Sequence, residues 1–417
     1  MINSIYIATS GMLGNERALN VISNNVANLN TAGFRGSNVS FSNVYSGTAQ
    51  TGSQNNQFVG QQGLGGGGVD ATRTLLDMRS GTPQQTGRDL DLSLQGDGFF
   101  VLQDSTGSLR YTRNGAFSFN SDGVLVANDT ATGQTLNVLS RDSSGNFVPI
   151  EVDGLKTSPA KATTQVTFQG NLSPTDTKVT AGALTVYDKN GTAHHLSVEF
   201  DKGGGTSNPG GPTNPAGSTV WKIEVSEGDL PVGTGTLAFD STNQVAPGSS
   251  PVFMTLTLGG TDLVDISFDF SNVSGSSTGV SGSGSTSSQV SVANQDGYAL
   301  GTLSSESFDA AGTLNITYTN GQTAKGARLV LAQITDNDGL VELGSALFTY
   351  KGNLPVIYRE AASDLQVNAQ SLEGSNVDLT SEFSTLILAQ RGYQGSSQVI
   401  STANDMLQQL LDIRNSR

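Results

Sequence analysis

The residues that could carry out catalysis or bind a metal are few in this chain of 417 residues. Its only histidines, His194 and His195, are adjacent on a predicted strand, where neighbouring side chains point to opposite faces and cannot share a metal ion. The chain has no cysteine, which excludes disulfides, thiolate nucleophiles and cysteine metal ligands together. Serine and threonine are abundant, but a hydroxyl without a partnered base is only a surface group.

Three short motifs have the composition of ligand sites without the rest of such a site. Residues 63–70 (GLGGGGVD) contain the glycines of a phosphate loop, but no Gly-Lys-Ser or Gly-Lys-Thr follows them. Residues 336–339 (DNDG) match part of a calcium loop, but Ile334 occupies its first ligand position, so a hairpin turn is expected there. Asp89 and Asp91 share a strand face with no cleft, His or Arg arrangement to support them. We therefore predict that the chain is not an enzyme and has no catalytic residue, metal or cofactor.

The composition is typical of a turn-rich β protein with several small cores. Apolar residues make up 35% of the chain, which is low for one compact globule of this length, and 52 residues are glycine. The 21 Lys and Arg against 36 Asp and Glu give a net charge of −15, which repels phosphate backbones and anionic lipid headgroups. No stretch approaches the roughly 18 apolar residues of a membrane span, and the first residues lack the pattern of a cleavable signal peptide. We predict no nucleic-acid partner, no membrane insertion, and export without cleavage.

Both chain ends show the heptad spacing of a helix that packs along another helix. Near the N-terminus the spaced residues are Ile5, Ala8, Met12, Asn15, Leu19, Ile22, Val26 and Leu29. Near the C-terminus they are Leu379, Phe383, Leu386, Gln390, Tyr393, Ser397, Ile400, Asn404, Leu407 and Leu411. Each stripe is thin, so each helix needs the other helix or neighbouring subunits to offset its ordering entropy. We assign the residues larger than alanine to subunit packing, interrupted by polar layers at Asn15, Gln390, Ser397 and Asn404.

Between the helices the pattern changes to the two-residue period of strands, beginning in DLDLSLQGDGFFVL. Residues 91–360 are therefore interpreted as antiparallel β throughout. Three Asn-Gly pairs lie between strand-like runs and predict type I′ hairpin turns: 114–115, 190–191 and 320–321.

Three stretches have no pattern of regular structure. Residues 203–218 and 271–289 are rich in Gly and Ser, cannot build a core, and are expected as boundaries or long loops. Residues 34–90 have the composition of a linker, but several large apolar side chains in them also fit an extended segment that is ordered against its neighbours. The sequence leaves these two interpretations of residues 34–90 open.

Longer motifs at both ends resemble the signatures of flagellar rod and hook proteins. SNNVANLNTAGFRGSNVSF at 23–41 is similar to their N-terminal signature, and residues 372–414, which begin LEGSNVDL, are similar to their C-terminal signature. Residues 89–126 resemble the family's first β domain. Carried over by motif, the signature residues are Asn24, Asn25, Asn28, Asn30, Thr31, Gly33, Phe34, Ser375, Asn376, Val377, Gln390, Arg391 and Tyr393. Gly33 is expected in the left-handed conformation that follows a helix end.

The resemblance implies a mixed, mainly β fold. Paired N- and C-terminal helices would form a coiled-coil-like inner domain, with two antiparallel β domains inserted between them. The implied domains are a helical polymerisation domain of residues 1–33 with 363–417, an extended connecting segment of 34–90, an intermediate β domain of 91–146 with 290–362, and an outer β domain of 147–289. Gly14, Gly392 and Gly395 depart from the family pattern, and each interior glycine costs a helix about 0.5–1 kcal/mol relative to alanine.

The resemblance also implies a function, that of a structural subunit of the bacterial flagellar hook. Such a subunit polymerises outside the cell into a curved, flexible tube that transmits motor torque from rod to filament. The implied partners are its own copies, the distal rod protein, the hook-filament junction protein, a hook cap and the flagellar type III export apparatus. Length selects a hook subunit over the shorter distal rod protein of the same family. A secreted β-rich adhesin would suit the acidic middle equally well, but the heptad stripes at both ends disfavour it.

Overall fold

A computed structural model of the chain describes residues 2–45, 66–129, 132–202, 219–260, 262–275, 287–362 and 364–415. In this part of the chain a helix lies at each end, α1 (Ile2–Ala27) and α2 (Leu379–Asn415), and strands fill the middle. The predicted fold class is therefore confirmed. The chain divides into two compact units: Met1–Asp153, Glu306–Ile316 and Lys325–Arg417 form unit 1, and Gly154–Ser305 with Thr317–Ala324 form unit 2.

The strands are short, and their bounds in chain order are as follows. They are β1 (Ser37–Tyr45), β2 (Gly66–Leu76), β3 (Pro83–Gln85), β4 (Asp91–Gln95), β5 (Phe99–Gln103), β6 (Leu109–Thr112), β7 (Gly115–Phe119), β8 (Leu125–Asn128), β9 (Thr135–Arg141), β10 (Phe147–Pro149), β11 (Thr157–Ser158), β12 (Gln165–Asn171), β13 (Lys178–Thr180), β14 (Leu184–Tyr187), β15 (Ala193–Asp201), β16 (Thr219–Glu227), β17 (Leu230–Phe239), β18 (Val252–Leu258), β19 (Asp262–Ser274), β20 (Gln289–Gln295), β21 (Gly301–Phe308), β22 (Thr313–Tyr318), β23 (Thr323–Arg328), β24 (Leu331–Gln333), β25 (Leu340–Gly344), β26 (Leu347–Tyr350), β27 (Ile357–Arg359), β28 (Gln366–Ala369) and β29 (Ser371–Glu373).

Unit 1 is built on one large sheet in the order β25-β26-β6-β5-β9-β8-β7-β4-β28, with β10 on β9, β24 on β5 and β27 on β24. Its core contains edge-to-face aromatic pairs, such as Phe99 with Phe348 at 5.9 Å and Phe100 with Phe117 at 5.1 Å between ring centroids. Two smaller pairings, β1-β2 and β29-β3, complete the unit beside the helices.

Unit 2 contains two sheets whose inward side chains form one core. The sheets are β18-β19-β12-β20 and β13-β15-β16-β17, with β14 on β15. Strict alternation along β15 and β16 buries every second side chain, including Phe200 and the fully buried Trp221. Phe168 stacks on Phe270 with ring centroids 4.8 Å apart. The division between the units runs through β21, β22 and β23, which form a further sheet with β11.

Antiparallel pairing holds with one exception, because β12 and β19 pair in parallel. The prediction of antiparallel β throughout is wrong here. A hairpin enforces antiparallel pairing only between strands that follow each other along the chain, and β12 and β19 are far apart in sequence.

The Asn-Gly turns differ from the prediction. The 114–115 pair is not a hairpin turn, because β6 and β7 on either side of it pair with other strands. The other two pairs do close hairpins, but only Gly191 and Gly321 have positive φ values, 82° and 78°, whereas a type I′ turn needs two such residues. Residues 336–339 precede β25 as a short 3₁₀ turn between strands that do not pair with each other, so the hairpin expected there is also wrong.

A recurring loop joins many of the strands. A side-chain oxygen at its first position accepts the backbone N–H groups of the residues two and four positions later, which satisfies donors that a hairpin end leaves open. The fourth position has positive φ, as at Gly145 (88°) and Asn243 (62°). Residues with these hydrogen bonds are Asp104, Asn120, Asp142, Asp188, Asp240 and Asp309.

Acid should weaken these loops. The Thr106 hydroxyl lowers the pKa of Asp104, the Asn146 backbone N–H lowers the pKa of Asp142, and the Thr242 hydroxyl lowers the pKa of Asp240. A carboxylate with a lowered folded-state pKa stabilises the fold above its unfolded value of about 3.9, and this stabilisation is lost as the pH falls through the folded-state value. We expect the thermal midpoint, followed by circular dichroism, to fall below about pH 4.

The control for this prediction is the triple variant D104N/D142N/D240N. Asparagine keeps the accepting oxygen but cannot be protonated in this range. Its midpoint should therefore depend less on acid than that of the unmodified protein. An equally steep loss in both proteins would mean that other carboxylates cause the acid sensitivity.

Candidate subunit-packing site

The two helices pair antiparallel along one side of each. At the roots of the helices, where α1 ends and α2 begins, Asn25 Nδ2 donates to Glu382 Oε1 at 3.0 Å. Further along, a Cβ on Gly392 would lie 2.7 Å from Asn15 Oδ1, and a Cβ on Gly11 would lie 3.1 Å from Ser396 Oγ. In all three pairs the two residue numbers add up to 407. The register of the helix pair is therefore fixed over at least four turns.

Small side chains form the centre of this interface. Ala8, Ala18 and Ile22 are buried on α1, and Ala389 and Ala403 are buried on α2. The predicted α1 residues Ile5, Met12, Leu19 and Val26 are half-buried, as is Leu29 beyond the helix end. On α2, the predicted residues Leu386, Ile400 and Leu407 are half-buried, while Leu379, Phe383, Tyr393 and Leu411 are exposed in the single chain. Packing of the exposed group against other subunits remains a prediction.

The α2 stripe is shifted by one residue from the predicted polar layers. Gln390, Ser397 and Asn404 are exposed, and their neighbours Ala389, Ser396 and Ala403 face α1 instead. These three residues therefore form no polar layers between α1 and α2. Asn15 does lie in the interface, where its Nδ2 donates to the carbonyl of Gly11 at 2.7 Å.

Two of the three glycines that depart from the family pattern allow close packing. A Cβ on Gly14 would lie 3.1 Å from the Phe41 ring of β1, and a Cβ on Gly392 would lie 2.7 Å from the Asn15 amide. A Cβ on Gly395 would have no heavy atom within 4 Å. The structure gives no packing reason for Gly395.

Gly392 and Gly395 therefore form a matched pair for a test of this interface. Gly395→Ala should stabilise α2 by about 0.5–1 kcal/mol, because it removes only the conformational freedom of glycine. Gly392→Ala should destabilise the helix pair in spite of the same gain, because Asn15 must move. Urea unfolding followed by the far-ultraviolet circular dichroism of the helices measures both effects. Equal stabilisation by the two substitutions would contradict the close approach of α2 to Asn15.

The β1-β2 hairpin packs along another side of α1, within unit 1. Val69 N donates to Ser10 Oγ at 3.0 Å, and Arg17 Nη1 donates to the carbonyl of Ala71 at 3.0 Å. In this structure the described parts of residues 34–90 are thus extended and ordered against a neighbour. Residues 46–65, which include part of the 63–70 motif, lie outside the described residues.

The signature asparagines hold the roots of the two helices. Asn25 Oδ1 accepts Ser37 N at 3.0 Å, and its Nδ2 donates to the carbonyl of Ser37 at 2.8 Å. Asn376 Oδ1 accepts Gly36 N at 2.8 Å, and its Nδ2 donates to the carbonyls of Asp77 (2.7 Å) and Arg79 (2.9 Å). Each amide thus replaces backbone partners that a strand or helix would otherwise supply.

The other signature residues occupy the turns beside these amides or the helix surface. Asn28 Nδ2 donates to the carbonyl of Asn24, and Thr31 Oγ1 donates to Asn28 Oδ1. Gly33 has φ of 71° as predicted, and a Cβ there would lie 2.5 Å from Asn114 N. Phe34 is buried, Ser375 and Val377 are half-buried, and Asn30, Gln390, Arg391 and Tyr393 are exposed.

A buried cluster of Arg35, Arg113 and Glu373 lies beneath the helix roots, and its charges were not singled out by spacing. Glu373 Oε1 accepts Arg35 Nη2 at 2.7 Å and Gly81 N at 2.8 Å, and Glu373 Oε2 accepts Arg113 Nη1 at 3.2 Å. The three side chains are at most 2% exposed. Burial lowers the pKa of Arg113, and the charge of Glu373 opposes this shift. A lone Arg inside each quoted motif, GFRG and YTRNG, was the available signal.

Removal of the shared carboxylate should be costly. Glu373→Ala would leave two guanidinium groups buried without a counter-charge, which we expect to destabilise unit 1 by about 3–5 kcal/mol. Arg79→Ala is the control, because it removes an ion pair with Asp77 in which the arginine is 81% exposed, and it should cost less than about 1 kcal/mol. Urea unfolding measures both. Similar losses in the two variants would mean that the buried cluster has no special role.

The described residues contain no group of three or more His, Asp or Glu side chains placed to hold a metal ion. The two histidines have separate partners, His194 with Glu227 and His195 with Thr185, as expected for opposite faces of β15. None of the described helices is long and apolar enough to cross a membrane.

The fold and the site together define a class of protein: a β-rich chain whose two ends meet at one buried charge cluster and leave it as an antiparallel helix pair. Three family models match the chain. The model for the flagella basal body rod protein matches residues 5–35, that for the flagellar hook protein FlgE/F/G D1 domain matches 93–172, and that for the flagellar basal body rod FlgEFG protein C-terminal region matches 368–413. The chain belongs to this flagellar rod and hook family.

Similarity to individual relatives extends over the whole chain. The flagellar hook protein FlgE of Salmonella typhimurium is 28% identical over 437 residues, which cover 98% of this chain and 99% of the relative. The flagellar hook protein FlgE of Treponema pallidum is 27% identical over 473 residues, covering 99% and 100%. A solved structure of Helicobacter pylori flagellar hook protein FlgE2 covers 70% of this chain and 100% of its own, with 14% identity and a TM-score of 0.45.

Proposed function

We propose that this chain is the structural subunit of a bacterial flagellar hook. Many copies polymerise through the paired end helices into a curved, flexible tube. The tube acts as a universal joint, because it transmits motor torque from rod to filament while it bends. A catalytic role is no part of this proposal.

The exposed apolar surface of the helix pair carries the proposal. Pairing of α1 with α2 leaves large side chains in water on both helices, including Leu13 at 57%, Phe383 at 49% and Leu388 at 71% exposure. Contiguous apolar surface of this kind marks an interaction site on a soluble protein. Since every copy presents the same helices, contacts between copies can bury this surface repeatedly along a tube.

Length supports a hook subunit over a rod subunit. The alignments with hook proteins span nearly the full length of both chains, including unit 2. The distal rod protein, the alternative within the family, is expected to be shorter. An adhesin gains no support from two helices with matched register at opposite ends of the chain.

The proposed location is the flagellum, outside the cell, at the hook. The proposed partners besides further copies are the distal rod protein, the hook-filament junction protein, a hook cap and the type III export apparatus. The export apparatus would pass the chain with its N-terminal segment intact, because α1 provides half of the helix interface.

Polymerisation of the purified full-length protein tests the proposal. Under salting-out conditions, electron microscopy should show tubes, and mass spectrometry of hooks isolated from cells should find peptides from the first residues of α1. Leu388→Asp should prevent tube growth, because it places a charge in the proposed contact. Leu230→Asp in unit 2 is the matched control, since Leu230 is also 71% exposed, and it should still assemble.

Dispersed monomers or amorphous aggregates from the unmodified protein would contradict the proposal. Tubes formed equally well by both aspartate variants would contradict the role of the helix surface. Mature chains that lack α1 would contradict export without cleavage.

A further inference from the structure

The register of the helix pair leaves one end of α2 without a helix opposite it. If the two residue numbers of facing pairs add up to 407, as in the three pairs at Asn25, Asn15 and Gly11, then Ile2 faces Asp405. Helix α1 begins at Ile2, whereas α2 continues to Asn415. The last ten residues of α2, about 15 Å of helix, therefore extend past the start of α1. We call this segment, residues 406–415, the overhang.

The stripe of α2 that packs on α1 continues into the overhang. Upstream, this stripe contains Ala389, Ser396 and Ala403 at seven-residue spacing, alternating with the half-buried Leu386 and Ile400. The same spacing leads to Leu407 and Leu410, with Leu411 beside them on the same face.

Burial changes along this stripe where α1 stops. Ala389 and Ala403 are 6% and 2% exposed, whereas Leu410 and Leu411 are 53% and 46% exposed. The side chains in the overhang are also larger than the alanines upstream. The stripe thus becomes more apolar at the point where its intramolecular partner ends, which is the reverse of what a helix end in water favours.

We propose that Leu407, Leu410 and Leu411 of the overhang dock on the helix pair of a second copy of this chain. This inference rests on the proposed polymerisation and identifies one contact within it. The overhang continues the α1-α2 interface directly, so a neighbouring helix pair can cover it with the same helix-on-helix packing. The net charge of −15 disfavours the alternative occupant of an apolar helix face, an anionic membrane surface.

The contact is heterologous. The overhang of one copy occupies a surface other than its own overhang on the next copy, and contacts of this type propagate into rings or helical filaments. The overhang therefore links successive subunits, whereas the α1-α2 seam holds each subunit together. This division assigns the two halves of one apolar stripe to two different interfaces.

Thiol accessibility tests the proposal, because the natural chain has no cysteine and every thiol introduced is unique. Leu410→Cys places a thiol on the stripe. Asp412→Cys places one on an exposed residue about 200° further around the same helix. The rate of modification by a maleimide is measured for each variant as monomer and after polymerisation.

We expect polymerisation to slow modification of the Leu410→Cys thiol by about tenfold or more, and to change the rate at Asp412→Cys little. Tubes in which the Leu410→Cys thiol reacts as fast as in the monomer would overturn the docking of the overhang while leaving the proposed function in place. Failure of the unmodified protein to form tubes would instead count against the proposed function. Equal protection of both thiols would overturn docking through the stripe.

A second measurement covers the case in which the cysteine variants do not polymerise. The double variant Leu410→Gln with Leu411→Gln should raise the monomer concentration in equilibrium with tubes by about tenfold or more, because two leucines lose their apolar contact. Asp412→Gln, the control on the opposite face, should leave that concentration nearly unchanged. Far-ultraviolet circular dichroism confirms that α2 is intact in both variants. Assembly of the double variant at the concentration of the unmodified protein would overturn the proposal.

Discussion

The buried cluster of Arg35, Glu373 and Arg113 is the constraint on which the arrangement of unit 1 depends. Two guanidinium groups share one carboxylate with almost no contact with water, and Arg35 Nε and Nη1 have no hydrogen-bond partner among the described residues. Such a cluster contributes little net stability, because desolvation offsets the attraction between the charges. Its effect is on specificity: neither arginine can be buried unless the segment that contains Glu373 is in place. The segments after α1, around β6 and before α2 must therefore meet at one point.

Fixed roots explain how so thin a helix interface keeps one register. Asn25 and Asn376 attach the ends of both helices to backbone groups beside the cluster, so α1 and α2 leave it in a set direction. Beyond the roots, contacts across Gly11, Ala18, Ala389 and Gly392 bring the two helices close together but bury little apolar area. The helices thus have a defined alignment and a weak association within one chain. Most of their stabilisation must come from other surfaces.

Local periodicity predicted the existence and type of the main elements, because a single apolar stripe or a two-residue alternation is enough to specify a helix or a strand. It placed α1 well and misplaced half of the α2 stripe, since the residues that face α1 there are Ala389 and Ala403, which a search for large apolar side chains passes over. The Asn-Gly pair at 114–115 misled for a different reason. A Cβ on Gly115 would lie 2.0 Å from the carbonyl oxygen of Leu92, so this glycine serves close packing and not a hairpin.

The charge cluster could not be predicted from spacing at all, because its partners are separated by 338 and 260 positions in the chain. The resemblance of the two end motifs to one family implied that the chain ends meet, but not through which side chains. Long-range polar contacts of this kind follow from topology, and topology here includes a parallel β12-β19 pair that no local signal indicates. The family resemblance supplied what single-sequence patterns lack, namely which distant segments belong together.

The distribution of burial links helix order to association between copies. The largest fully buried side chains, among them Trp221, Phe100, Arg35 and Arg113, belong to the β structure and the charge cluster, whereas α2 has only Ala389 and Ala403 fully buried among its described residues. A helix of 37 residues with so little buried area is marginal on its own. Any surface on another copy that covers its leucines stabilises both the contact and the helix, so the two equilibria are linked by mass action. A subunit built in this way keeps its β units folded at any concentration and gains its rigid helical ends only in the company of other copies.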